Sequence, residues 1–118
     1  KRNKEMKSAI DQLNVKKFYL QNIPTRSLKC NIEKTYEKIL KIGELHKIDT
    51  IFCPAYEGGH QDHDVANFIC SRLKDYFDIY EFAEYNFFKK KINSNKFIKP
   101  EKKDIIIELT DEDKKVYL

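Results

Sequence analysis

The period of the apolar positions changes several times along this chain, and each change marks an element. Over Lys1 to Asn14, Met6, Ala9, Ile10 and Leu13 recur at helical spacing, so the chain opens in an amphipathic helix. Val15 to Leu20 then reads as a short strand ending near Pro24. Asn31 can cap a second helix whose buried stripe is Ile32, Tyr36, Ile39 and Leu40, with Gly43 near its end. Thr50-Ile51-Phe52-Cys53, after Asp49 and closed by Pro54, is the continuous apolar run of a central parallel strand. The loop Ala55 to Asp62 follows. From His63 the spacing of Val65, Phe68, Ile69, Leu73 and Tyr76 predicts a third helix. Ile79 to Phe87 alternates, Asp104 to Leu109 is a further strand candidate, and Thr110 with Asp113 predicts the start of a final helix.

That order of elements predicts an α/β, Rossmann-like layered domain with a mainly parallel sheet and helices on both faces. In such sheets ligands sit beyond the carboxyl ends of the strands. The loop after Pro54 is therefore the first place to look for chemistry.

With 118 residues, 41% of them apolar, the chain can pack one domain but is short for an α/β enzyme. An open sheet usually starts with a strand rather than a helix, so residues 1–118 are expected to form a single partial domain, cut at both ends. Lysine and arginine exceed acidic residues by 23 to 19, but the excess is interleaved with carboxylates, the pattern of solvated helix faces. Lys89-Lys90-Lys91 is the one dense basic run, and beside Phe87 and Phe88 it could touch a phosphate backbone or an acidic lipid headgroup. No nucleic-acid motif surrounds it, so no nucleic-acid partner is expected.

Cys30, Cys53 and Cys70 are odd in number and lack CxxC spacing, which argues against a disulfide framework and a thiolate zinc site. No stretch approaches the roughly 18 apolar residues of a membrane span, and the first residues lack the apolar centre of a signal peptide. The expected compartment is the cytoplasm. Nothing in the sequence specifies an oligomer.

The segment Pro54-Ala55-Tyr56-Glu57-Gly58-Gly59-His60-Gln61-Asp62-His63-Asp64 gathers two of the three histidines and three carboxylates. Two imidazoles three residues apart around a carboxylate suit a metal ligand beside an acid or base, at a helix start whose amides favour a developing oxyanion. A solvated turn, or Asp62 and Asp64 merely capping the helix, would use the same residues. His46 lies among Glu44, Leu45 and Lys47 as a surface residue.

Glu57-Gly58-Gly59-His60-Gln61-Asp62-His63, between a strand ending in Pro54 and a helix, resembles the second signature of the PIG-L/LmbE family of zinc-dependent N-deacetylases. Leu13-Asn14-Val15, Phe18-Tyr19-Leu20 with Ile23-Pro24, and Ile107 to Lys114 resemble flanking elements of the same family. The resemblance implies hydrolysis of the acetamide of an N-acetylated sugar or glycoconjugate, such as an N-acetylglucosamine compound, with zinc as cofactor. It implies His63 as zinc ligand, His60 as the residue that stabilises or protonates the tetrahedral intermediate, and Asp62 as its partner. Tyr56, Glu57, Gly58 and Gly59 are the candidates for the substrate pocket.

The family's early His-Pro-Asp-Asp motif, which supplies the other zinc ligands and the general base, does not occur here. Gln61 stands where the family usually has proline. The remaining ligands are thus expected outside this chain, and residues 1–118 alone are expected to be inactive. The rival expectation is a non-catalytic metal or carbohydrate binding module on the same fold.

Overall fold

The computed structural model describes residues 2–117. Helix α1 (Arg2–Gln12) leads into an extended segment, a 3-10 turn (Leu28–Asn31) and helix α2 (Ile32–Leu45). Strand β1 (Thr50–Pro54), helix α3 (Gln61–Ser71) and strand β2 (Asp78–Phe82) follow. Strands β3 (Tyr85–Phe88) and β4 (Lys91–Ser94) and helix α4 (Asp111–Tyr117) complete the order. No helix among the described residues is long and apolar enough to cross a membrane.

The protein is mixed α/β. Strands β1 and β2 pair in parallel, Thr50 opposite Asp78 through Pro54 opposite Phe82, and α3 is the crossover between them. Strands β3 and β4 form an antiparallel hairpin, Tyr85 opposite Ser94 and Phe88 opposite Lys91. The described sheets are therefore one parallel pair and one antiparallel pair, rather than one mainly parallel sheet.

The core lies where α3 meets β1. Cys53 and Ala55 from the strand side, Ile69, Cys70 and Leu73 from α3 and the turn after it, and Phe77 before β2 are all buried. Burying these side chains stabilises the unit by roughly 1.5–3 kcal/mol for each large aliphatic or aromatic group. The Cys53 thiol is pushed far above its ordinary value by its hydrogen bond to Cys70 and by burial, which fits a small core hydrophobe and not a nucleophile.

Helix α2 packs on α3, and the Arg72 guanidinium at the end of α3 both pairs with Glu33 and stacks 4.7 Å above the Tyr36 ring. Gly43 of α2 lies against the ring of Phe77. Among the described residues a helix covers only one face of the β1–β2 pair. The other face carries Phe52, Tyr80 and Phe82, all exposed, with the Phe52 and Tyr80 rings stacked at 5.5 Å.

Two expected strands are not strands. Val15 to Leu20 and Asp104 to Leu109 have the apolar residues that a strand needs, but neither meets a partner ladder of backbone hydrogen bonds among the described residues. Phe18, Tyr19, Leu20, Ile105, Ile106 and Ile107 are correspondingly exposed. The Tyr19 hydroxyl hydrogen-bonds Nε2 of His46, so the first segment is tied to the end of α2 by a side chain instead.

The basic run is the tip of the β3–β4 hairpin. Lys89 and Lys90, with φ of 55° and 58°, are its two turn residues. Left-handed φ at both central positions is the geometry that matches the twist of paired strands.

Candidate functional site

The site grows from the end of β1. Pro54 closes the strand, and the carbonyl of Pro54 accepts from the Asn67 side chain of α3 at 3.0 Å, which binds the strand end to the returning helix. The loop between them turns at Gly58, whose φ of 68° suits a residue without a side chain. Oδ1 of Asp64 accepts from the backbone N–H groups of Glu57 at 3.0 Å and Gly58 at 3.2 Å, clasping the loop onto the first turn of α3.

His60, rather than Asp62, caps the helix. Its backbone is extended, and its Nδ1 accepts the Asp62 N–H at 3.1 Å. Because Nδ1 accepts, the ring proton of neutral His60 sits on Nε2, which becomes a donor. The carboxylate of Asp62 lies 4.0 Å from Nδ1, and its Oδ2 accepts the Arg26 N–H at 2.7 Å. Oδ1 of Asp62 is buried and has no hydrogen-bond partner among the described residues.

His63 stands one turn on, its ring centroid 5.0 Å from that of His60. The structure thus brings His60, Asp62 and His63 together. Nδ1 of His63 lies 3.0 Å from Oε2 of Glu84, which sits just beyond the carboxyl end of β2. The Nε2 atom has no hydrogen-bond partner among the described residues. The edge of the Tyr85 ring approaches His63 with 6.1 Å between centroids.

The pocket candidates divide. Tyr56, Gly58 and Gly59, with Gln61, Val65 and Phe68, line an open groove of about 580 Å³ beside the loop, and the two histidines do not line it. Glu57 is buried, and its carboxylate faces away from the groove to accept the N–H groups of Glu84 and Tyr85 at 3.1–3.2 Å. Glu84, Tyr85 and Arg26 were not foreseen. The signal for Glu84 was positional, since a residue following a strand parallel to β1 lies at the same end of the sheet.

Among the described residues no group of three or more His, Cys, Asp or Glu side chains is gathered to hold a metal ion. His63 nevertheless fits one ligand position. A carboxylate on one ring nitrogen and a free second nitrogen is the arrangement in which imidazole usually meets zinc.

An α/β protein with paired imidazoles beyond the carboxyl end of a parallel strand falls in the class that binds its ligand at that end of the sheet. Residues 1–74 match the family model PIG-L, GlcNAc-PI de-N-acetylase, and the chain belongs to this family. Membership brings a deacetylase-type function, in a family that is typically metal-dependent. No curated protein and no solved structure matches the chain. The matched span ends after α3, so Glu84 lies beyond it.

Proposed function

We propose that the loop from Pro54 to Asp64 carries the second half of a zinc-dependent N-deacetylase site acting on the acetamide of an N-acetylated sugar or related conjugate. The observation that carries this reading is the pair of imidazoles 5.0 Å apart, one with its Nδ1 accepting the Asp62 N–H and the other with its Nδ1 3.0 Å from the Glu84 carboxylate. One ring is left with an Nε2–H donor and the other with an Nε2 lone pair. A donor beside a ligand is what amide hydrolysis at a metal requires.

His63 would hold the metal through Nε2, with the other ligands to be sought outside residues 1–118, in a Rossmann-like domain of which this chain is a part. When bound there, zinc would supply Lewis acidity toward the acetamide carbonyl and would lower the pKa of water. His60 would direct its Nε2–H at the oxygen on which negative charge develops, as a hydrogen-bond donor. Removing a donor of this kind costs roughly 2.7–4 kcal/mol of transition-state stabilisation. Asp62 orients His60 through its own backbone N–H, and the Arg26 N–H holds the Asp62 carboxylate in place. Tyr56, Gly58 and Gly59 offer the groove wall on which a sugar can lie.

The test compares His63→Ala and His60→Ala in the intact protein. His63→Ala is expected to lose zinc and turnover together. His60→Ala is expected to keep zinc while turnover of an N-acetylated sugar falls by about 10²–10³. Full activity in both variants overturns the assignment. The exposed Tyr56 on the groove favours one second reading, a carbohydrate-binding module without catalysis. Sugar binding without hydrolysis, unaffected by His63→Ala, would establish it.

A further inference from the structure

Four residues form a closed circuit that begins and ends in the first turn of α3. Asp64 holds the backbone of Glu57 through Oδ1 at 3.0 Å. The buried Glu57 carboxylate holds the backbone of Glu84, taking its N–H at 3.2 Å, and that of Tyr85 at 3.1 Å. The Glu84 side chain returns to His63, the neighbour of Asp64, at 3.0 Å. The circuit joins the loop after β1 to the residues after β2, the two parallel strands of the sheet.

We infer that Glu84 is the positioning residue for His63, keeping the ring proton on Nδ1 so that Nε2 presents its lone pair to the metal. Oε2 stands 3.0 Å from Nδ1 as a charge contact without the alignment of a hydrogen bond, and because an ionised carboxylate has only lone pairs to offer, an unprotonated Nδ1 at that distance would be repelled by it. A proton on Nδ1 turns that repulsion into attraction. The side chains of His63 and Glu84 are 30% and 35% exposed, so the pair adds little to stability as an ion pair. Its effect is on which nitrogen is free and where the ring points. Glu84 can serve in this way because Glu57 fixes its backbone. The metal half of this inference rests on the function proposed above, and the tautomer half does not.

The experiment reads both halves in the intact protein. Long-range nitrogen–proton NMR spectra of the metal-free protein, at a pH where His63 is neutral, are expected to show the Nδ1–H tautomer in wild type. Glu84→Gln, which retains an acceptor oxygen, is expected to keep it. In Glu84→Ala the proton is expected to move to Nε2, and calorimetric zinc affinity to fall by about 10–100-fold, with Glu84→Gln between the two. An Nε2–H tautomer at His63 in wild type overturns the inference without any variant, so a Glu84→Ala protein that fails to fold does not protect it. An unmoved tautomer in Glu84→Ala overturns it as well. So does unchanged zinc affinity in Glu84→Ala when His63→Ala loses zinc. If the tautomer moves but His63→Ala binds zinc as wild type does, the deacetylase reading fails while the positioning of His63 by Glu84 stands.

Discussion

Gly43 and Phe77 are packed so closely that a methyl group at position 43 would stand 2.4 Å from the Cζ of the phenylalanine ring. The ring is itself buried, at the turn from α3 into β2. Alanine in a helix interior is favoured over glycine by about 1 kcal/mol, and by that alone Gly43→Ala would stabilise α2. Overpacking a filled core costs about 1–3 kcal/mol and more when a rigid ring must shift. The clash outweighs the propensity, so urea denaturation of Gly43→Ala is expected to show a net loss of about 1 kcal/mol or more. An unchanged or raised midpoint would mean that α2 and Phe77 are not in contact.

Lys89 and Lys90 lead to the opposite prediction. Each carries a side chain in the left-handed region, where a residue with a Cβ is disfavoured by roughly 1–2 kcal/mol. Lys89→Asn with Lys90→Gly supplies the residue pair that this turn prefers and is expected to raise the thermal midpoint. A lower midpoint would show that the two ammonium groups make contacts worth more than the strain. In the fold, Lys89 and Lys90 of the basic run are the two residues of the hairpin turn.

How much of this was legible along the chain follows from which interactions are local. The run from Thr50 to Pro54 and the helical spacing after His63 placed β1 and α3 correctly, because one continuous apolar face determines each. Thr110 and Asp113 announced α4 through a capping pattern that spans three residues. Val15 to Leu20 and Asp104 to Leu109 misled because strand propensity says nothing about whether a partner strand is present. Ile79 to Phe87 looked like one alternating stretch, yet it breaks after Phe82 so that β2 can pair with β1 while Tyr85 to Phe88 turns into the hairpin.

The same logic divides the site. His60, Asp62 and His63 share one turn and could be read together. Glu84 reaches His63 only through the parallel pairing of β1 and β2, which is a tertiary fact. The cap went to His60 rather than Asp62 because an imidazole nitrogen accepts the N–H two residues on, leaving the Asp62 carboxylate for Arg26.

Helix α4 should respond to acid. The Thr110 hydroxyl, then the Thr110 backbone N–H, donates to Asp113 and holds its carboxyl below the usual carboxylate range. A group with a depressed folded pKa lends stability that is present above its unfolded value, about 3.9, and is lost as pH falls through the folded value. The protection of the Asp113 and Lys114 amides, measured as exchange relative to an unstructured peptide at the same pH, is therefore expected to fall below about pH 4. Asp113→Asn should flatten that pH dependence, and a profile identical to wild type would mean that the capping box does not form.

Glu57 offers the sharpest separation of structure from chemistry. Its carboxylate is buried 27 and 28 residues from the two N–H groups it satisfies, those of Glu84 and Tyr85, and among the described residues no other side chain takes either of them. Glu57→Ala leaves both donors without a partner at a cost of about 1–3 kcal/mol for each group that water cannot reach. Glu57→Gln keeps one acceptor oxygen but sets an amide N–H₂ against donors, so its loss should be smaller and still measurable by urea denaturation. Because the carboxylate faces the backbone and not the groove, binding of a sugar in the groove should weaken only as far as the loop loosens. A Glu57→Gln protein as stable as wild type, with sugar binding abolished, would instead place this carboxylate on the ligand.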